Sequence, residues 1–448
     1  MHGEIIRGNF LAQQAPERRL NFCRNGGSIQ NGMVAQLVRT RCPTNPGIFS
    51  GMYKTYFDLQ SKSKAAEMAV SLRDSVSAIA PNFTINGYPG FILYCDELLR
   101  ELADIRNMNL KIDRLAQHLP TVARRQFLRQ AIIEEIHQTN EMENIHSTRK
   151  EINDEIRGIE NGQKGKRFDG MIRKYQLLLN RERIPLVSCQ DVRNLYNSFI
   201  LDEVIREDPN DAPDGIYFRK EPVSIVKSSQ TIHEGIYPEA ALNEAMEHAL
   251  LFLNDPEYDS LIRIAAFHYM FGYAHPFYNG NGRMTRFISS SMLVDNNIHH
   301  LVALRLSYVI KSHRSQYYEM FKTTNDKRNF GDMTCFVINF LRFIREASEQ
   351  VLSFLCDKDA LLNHYSDMIG TLKLEPKASE LLFILVQVSI CESDSLSITE
   401  LSDICESSPY IVKKCLNEIK SYSICSSKGR ALMFRADLEA LDAIGETD

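Results

Sequence analysis

The chain has 448 residues, 44% of them hydrophobic and 24% charged, with a net charge of −5. That length holds about two or three domains with sizeable cores, and the acidic balance argues against a surface built to coat nucleic acid. No apolar run reaches the length of a membrane span and no signal-peptide core follows the N-terminus, so a cytoplasmic chain without membrane contact is expected. Ten cysteines with no Cys-x-x-Cys pair fit reduced thiols better than a disulfide or zinc framework. Cys391, Cys405, Cys415 and Cys425 read as small buried hydrophobes.

Residues 1–51 stand apart. Arg7, Arg18, Arg19, Arg24, Arg39 and Arg41 face only Glu4 and Glu17, amid Gly, Asn and Gln. No period of either kind is sustained there, so disorder is expected. From about 86 to 358 the helical period dominates. Ile92, Leu93, Leu98, Leu99, Leu102 and Ile105 recur at helix spacing, as do Phe127, Leu128, Ile132, Ile133 and Ile136 in a helix over 122–143. Later helices are predicted at 168–180, 190–204, 238–254, 259–273, 281–295, 312–324 and 332–357. The stretch 223–233 alternates apolar and polar residues about Ser228-Ser229 and reads as a hairpin.

A charged, turn-prone stretch near 357–377 leads into the C-terminal region. Ser397-Ile-Thr-Glu400 is a capping box. Ser408 followed by Pro409 opens the next helix, and 424–434 reads as two strands about a Lys-Gly turn. Three helices and a hairpin make a winged helix-turn-helix. Residues 371–448 carry eight Lys and Arg against thirteen Asp and Glu, a poor footprint for DNA. Lys413, Lys414 and Lys420 gather on the recognition-helix side, so DNA contact stays open. Protein contact, including a homodimer or target docking, is favoured.

The stretch His275-Pro-Phe-Tyr-Asn-Gly-Asn-Gly-Arg-Met-Thr-Arg286 carries the chemistry. Gly280 and Gly282 free the backbone so that consecutive N–H groups can point inward, and a helix follows directly, which makes a phosphate-attracting nest at a helix N-terminus. Arg283 and Arg286 share one face of its first turn and oppose the macrodipole, a penalty that a bound polyanion reverses. His275 can take a proton near neutral pH, and Phe277 anchors the loop. His268, His299 and His300 lack a suitably spaced acidic or thiol partner and read as structural.

This segment resembles the signature of the Fic (Fido-domain) family, His-x-Phe-x-Asp/Glu-Gly-Asn-Gly-Arg-x-x-Arg. The resemblance implies a mainly α protein: a Fic helical core with a short β-hairpin flap, and here a C-terminal winged helix as its companion. It implies a protein adenylyltransferase that moves AMP from ATP to a Ser, Thr or Tyr hydroxyl of a target protein, with self-modification open. His275 would be the base. Gly280, Asn281, Gly282 and Arg283 would cradle the α- and β-phosphates, and Arg286 the γ-phosphate. Asn279 departs from the family acid that helps hold Mg²⁺ and keeps one neutral oxygen ligand. Thr139-x-x-x-Glu143-Asn144 resembles the family's inhibitory signature, in which Glu143 would pair with Arg286 in place of phosphate. Tyr318 and Asn325 resemble the adenine and ribose contacts, and Ile232 and His233 lie in the flap that would clamp the target by strand-like pairing. The organisation so implied is 1–51 disordered, 52–160 helical with the inhibitory helix, 161–357 the Fic core, and 358–448 linker and winged helix. Two rivals remain: a regulatory or DNA-associated protein that holds nucleotide with weak transfer, and removal of AMP from modified targets.

Overall fold

The computed structural model of the chain describes residues 62–448 apart from 164, 166, 228–229, 391–394, 429–430 and 446–448, and leaves aside the side chains of 225–227, 230–232 and 428. The expectations for 1–51, for Cys391, for the turns at 228–229 and 429–430, and for the Ile232 side chain lie outside the described residues.

Helix α1 (Lys62–Arg73) precedes two small antiparallel strand pairs. Strand β1 (Ala78–Ile79) pairs with β4 (Ile92–Leu93), and β2 (Thr84–Ile85) with β3 (Tyr88–Pro89). Ile92 and Leu93 were expected in a helix. They are strand residues, and the helix starts only at Asp96, because two adjacent apolar residues fit either element and pairing with β1 decides. Helices α2 (Asp96–His118), α3 (Thr121–Met142), α4 (Arg149–Glu160) and α5 (Asp169–Leu179) follow. The predicted helix at 190–204 divides at Ile200 into α6 (Cys189–Phe199) and α7 (Leu201–Glu207), and a 3₁₀ turn spans Pro209–Asp211.

The hairpin is present as β5 (Ser224–Lys227) and β6 (Gln230–Glu234), with a register shift between Ile225 and Val226. After it come α8 (Glu239–Leu253), α9 (Ser260–Ala274), α10 (Asn281–Asp295), α11 (His300–Ala303), α12 (Leu306–Ser312), α13 (Arg314–Thr324) and α14 (Thr334–Thr371). Helix α9 is buried nearly all round, so it serves as the spine of the core. It packs on α8, α10 and α14, while α14 lies along α2.

Helix α14 does not end near 357. It runs 38 residues to Thr371. Of the charged residues that read as turn-prone, Asp357 is exposed, Asp359 is half-buried and Lys358 donates to Ile390 O at 2.9 Å, while Leu355, Leu362, Tyr365 and Ile369 continue the buried stripe.

Helices α15 (Pro376–Ile390), α16 (Ile398–Ile404), α17 (Pro409–Glu418) and α18 (Leu438–Gly445) accompany a three-stranded antiparallel sheet, on which α15 and α16 pack. Its order is β7 (Leu396–Ser397), β9 (Ala431–Ala436), β8 (Ser423–Lys428). The Ser397–Glu400 capping box and the Ser408 cap both form. Strand β7 was not anticipated. Cys415 is buried, but Cys405 is only half-buried and Cys425 is exposed. The side chain of an outer-strand residue alternates away from the core, which a ten-residue cysteine spacing does not reveal. No described helix is long and apolar enough to cross a membrane.

Candidate active site

The site forms where α9 ends and α10 begins. His275 caps α9 in the left-handed region, φ 51°, and its N–H returns to Phe271 O at 3.0 Å. Phe277 is fully buried, stacked on Tyr196 at 3.8 Å, and anchors the loop as expected. Gly280, at φ 79°, caps α10 from the left-handed region, where a side chain costs energy. Gly282 is different: it lies inside the first turn of α10. Its missing Cβ matters for space, because a Cβ there would collide with Glu143 Oε1.

The side chain of Asn281 turns back on the loop. It accepts from Phe277 N at 3.0 Å and donates to Phe277 O at 2.7 Å. Its amide therefore braces the loop, and only its backbone remains for an anion. Asn279 is committed in the same manner. Its Oδ1 accepts from Gly280 N at 2.6 Å, and its Nδ2 donates to Asp211 Oδ2 at 3.1 Å. The loop thus carries a carboxylate after all, supplied by the 3₁₀ turn 68 residues upstream.

The two arginines are buried, and each has its own acid. Arg286, 1% exposed, donates through Nη2 to Glu143 Oε1 at 2.7 Å. It also donates to Thr139 Oγ1 at 2.8 Å and Thr139 O at 3.0 Å. Glu143 follows the last residue of α3, where its N–H turns to Asn140 O. That tightening leaves the Thr139 carbonyl to the guanidinium. Thr139 and Glu143, one turn apart, therefore grip Arg286 from one helix face. Burial raises the Glu143 carboxyl, but the attraction and hydrogen bond of Arg286, with Arg283 and His275, outweigh it and hold it below its ordinary value.

Arg283 is fully buried and meets Glu203 of α7 through Nη1 at 3.2 Å. Its Nε and Nη2 find no partner among the described residues, nor does Glu203 Oε1. Burial pushes the Glu203 carboxyl up to about 8, with Arg283 pulling the other way. Unpaired donors on a buried guanidinium are costly unless a water or an anion completes them.

Burial, with His233 and Arg219 nearby, lowers the His275 pKa to about 4, so the imidazole is neutral at pH 7. The loop is tied to the hairpin by Arg219, a residue the sequence did not single out. Arg219 donates to His275 O at 2.9 Å, Glu221 O at 2.7 Å and Ile236 O at 2.9 Å, and lies 3.4 Å from Ala274 O. His233 contacts Tyr273 O at 2.6 Å through Nε2 and anchors β6 to α9.

Other expected contacts divide. Tyr318 is 44% exposed on α13, with Arg314 over its ring at 5.8 Å. Asn325 caps α13 and accepts from Tyr269 OH at 2.7 Å, which makes it a brace for that helix end. Tyr317, next to Tyr318, lies beside Arg286 and contacts His268 Nε2 at 2.8 Å, while His268 Nδ1 meets Ser289 Oγ at 2.8 Å. His268 is structural, as expected. His299 caps α11, and His300 is the helix's first residue.

Residues 187–293 match the Fic/DOC family model. The similarity to that family covers about a quarter of the chain, the segment that holds the loop and the start of α10. The Fic match contains Glu203, Asp211, Arg219, His275 and both arginines; Thr139, Glu143, Tyr318 and Asn325 lie outside it. Among solved structures the chain is similar to a Fic family protein from Desulfovibrio desulfuricans G20, at 18% identity over 78% of this chain and 98% of that one, TM-score 0.47. It is also similar to Fic-1 (residues 134–508) from C. elegans, at 17% identity over 74% and 93%, TM-score 0.41. A Fic domain containing signalling protein from Bacteroides thetaiotaomicron VPI-5482 matches at 15% identity over 57% and 97%, TM-score 0.39.

Proposed function

We propose that this Fic domain transfers AMP from ATP to a hydroxyl of a protein, with Glu143 holding the site in check. The observation that carries the reading is the pairing of a neutral His275 with the N-terminal turn of α10, where buried Arg283 has two unpaired donors. A Ser, Thr or Tyr hydroxyl gives its proton to His275 as its oxygen bonds to the α-phosphorus. The bond to the β-phosphate oxygen breaks, and pyrophosphate leaves. The Gly280–Gly282 backbone and Arg283 meet the charge of the phosphates, while Arg286 becomes available to the γ-phosphate when Glu143 withdraws. A target segment would lie against β6 by strand pairing.

A Mg²⁺ ion would shield the phosphate charge. The donor set fits an ion held mainly by phosphate oxygens. Asp211 offers the charged oxygen, and Asn279 holds Asp211 by its amide. The helices and sheet of 376–445 support the winged-helix reading, with protein contact as its role, either to a target or to a second copy.

The test uses ATP labelled at the α-phosphate. Covalent label from the Glu143→Gly variant, lost in Glu143→Gly with His275→Ala, is the expected result. Absence of covalent label in both wild type and Glu143→Gly would sink the transfer reading.

A further inference from the structure

Arg283 and Glu203 form a buried pair that is incomplete on both sides. The guanidinium is held by one bond, Nη1 to Glu203 Oε2 at 3.2 Å, while Nε, Nη2 and Glu203 Oε1 have no partner. Arg283 is 0% exposed and Glu203 5%. Such a pair has no structural optimum of its own: two side chains that only balanced one another would meet with both oxygens and two nitrogens. The arrangement instead leaves Arg283 half-used, on the turn that follows the Gly280 cap.

We propose that Glu203 is a positioning residue for the phosphate site, holding Arg283 by Nη1 so that Nε and Nη2 serve a phosphate group, and that binding of that phosphate draws a proton from solvent onto Glu203. This deepens the nucleotide reading above and rests on it. The reason is electrostatic. A phosphate on Arg283 places a second negative charge beside a buried carboxylate, where like charges repel strongly. One proton on Glu203 removes the conflict and leaves an oxygen to accept from Nη1. The group is already poised for this, since burial raises its carboxyl. Its charged neighbours are Arg283 on α10, Glu207 and Arg206 on α7, and Arg167 ahead of α5. Glu207 raises the carboxyl, and the three arginines lower it. Glu143 does not compete for this role. Its carboxyl is held low and stays ionised above the ordinary carboxylate range.

The probe is ADP, which needs no γ-phosphate seat and whose phosphates are essentially ionised above about pH 7.5. Calorimetry of the full chain at pH 8, in two buffers of different ionisation enthalpy, should show net proton uptake on binding. Affinity should fall up to roughly eightfold from about pH 7.5 to 9.0, as one group titrating near 8 that must be protonated in the complex requires. In Glu203→Gln both effects should vanish, with tighter binding than wild type at pH 9.0. Glu203→Ala, which loses the acceptor for Nη1, should bind ADP more weakly than Glu203→Gln at every pH. Wild type that binds ADP with no proton uptake overturns the proposal whether or not the variants fold. So does a Glu203→Gln variant that keeps the wild-type pH slope. No ADP binding by wild type at any pH rejects the nucleotide reading itself, and this inference with it.

Discussion

Glu143→Gly should release the site by a calculable amount. Glu143 gives Arg286 one hydrogen bond within an ion pair at 2.7 Å, and Thr139 accepts two more from the guanidinium through neutral oxygens. A bond of the charged kind contributes about 1.5–3 kcal/mol. The Glu143 side chain is 29% exposed, so the lower part of that range applies, about 1.5–2 kcal/mol, or roughly ten- to thirtyfold in the competition between carboxylate and phosphate for Arg286. Glycine is well tolerated just past a helix end, so α3 should persist. The assay is covalent AMP incorporation as a function of ATP concentration, alongside a melting curve. Glu143→Gln, which keeps a neutral acceptor, should give an intermediate gain. Incorporation by Glu143→Gly equal to or below wild type, with an unchanged melt, would refute the reasoning.

Other consequences follow from the same geometry. His275 must be neutral to accept a proton, and its lowered pKa keeps it neutral down to about 4. Glu143 raises that pKa, so incorporation by Glu143→Gly should hold from pH 7 to 5 and fall only at about 4 or below; a limb at the ordinary histidine value of about 6.5 contradicts this. Asn279→Asp would set a carboxylate against Asp211 in place of the 3.1 Å hydrogen bond. The variant should lose about 1–3 kcal/mol without divalent cations, and Mg²⁺ should raise its melting temperature and nucleotide affinity more than wild type's. An equal Mg²⁺ response in both proteins rejects the role given to Asp211. Arg219→Ala would strip donors from the His275, Glu221 and Ile236 carbonyls. A loss of at least about 3 kcal/mol in urea unfolding is expected, and an unchanged midpoint would show that this hub does not hold the loop to the hairpin.

Much of the site was legible because it is local. The loop from His275 to Arg286 places its glycines, imidazole and arginines within a few residues, and α10 begins and ends where its period predicts. The hairpin and the Ser397 capping box were readable for the same reason: alternation and capping are short-range patterns. The end of α14 was misread because a charged stretch looks like a turn when only composition is weighed. Glu203, Asp211 and Arg219 gave no signal at all. They stand alone in ordinary surroundings and meet their partners 80, 68 and 56 residues away.

Glu143 lies between these cases. Its pairing with Arg286 spans 143 residues, and it was found through the resemblance of its own short segment. The structure adds what the sequence did not show: Glu135, His137, Gln138, Thr139 and Asn140 of α3 are all buried.

The sequence by itself determined the chemical kinds present: an imidazole, a glycine-capped helix start, two arginines, and an acid after a threonine. Local backbone preference and short-period patterning depend on neighbours along the chain, and those are visible in it. Only the tertiary structure decided how the charges are matched, giving Glu143 to Arg286, Glu203 to Arg283 and Asp211 to Asn279. Buried charges have to find partners in space, and those partners come from whichever element the fold brings near.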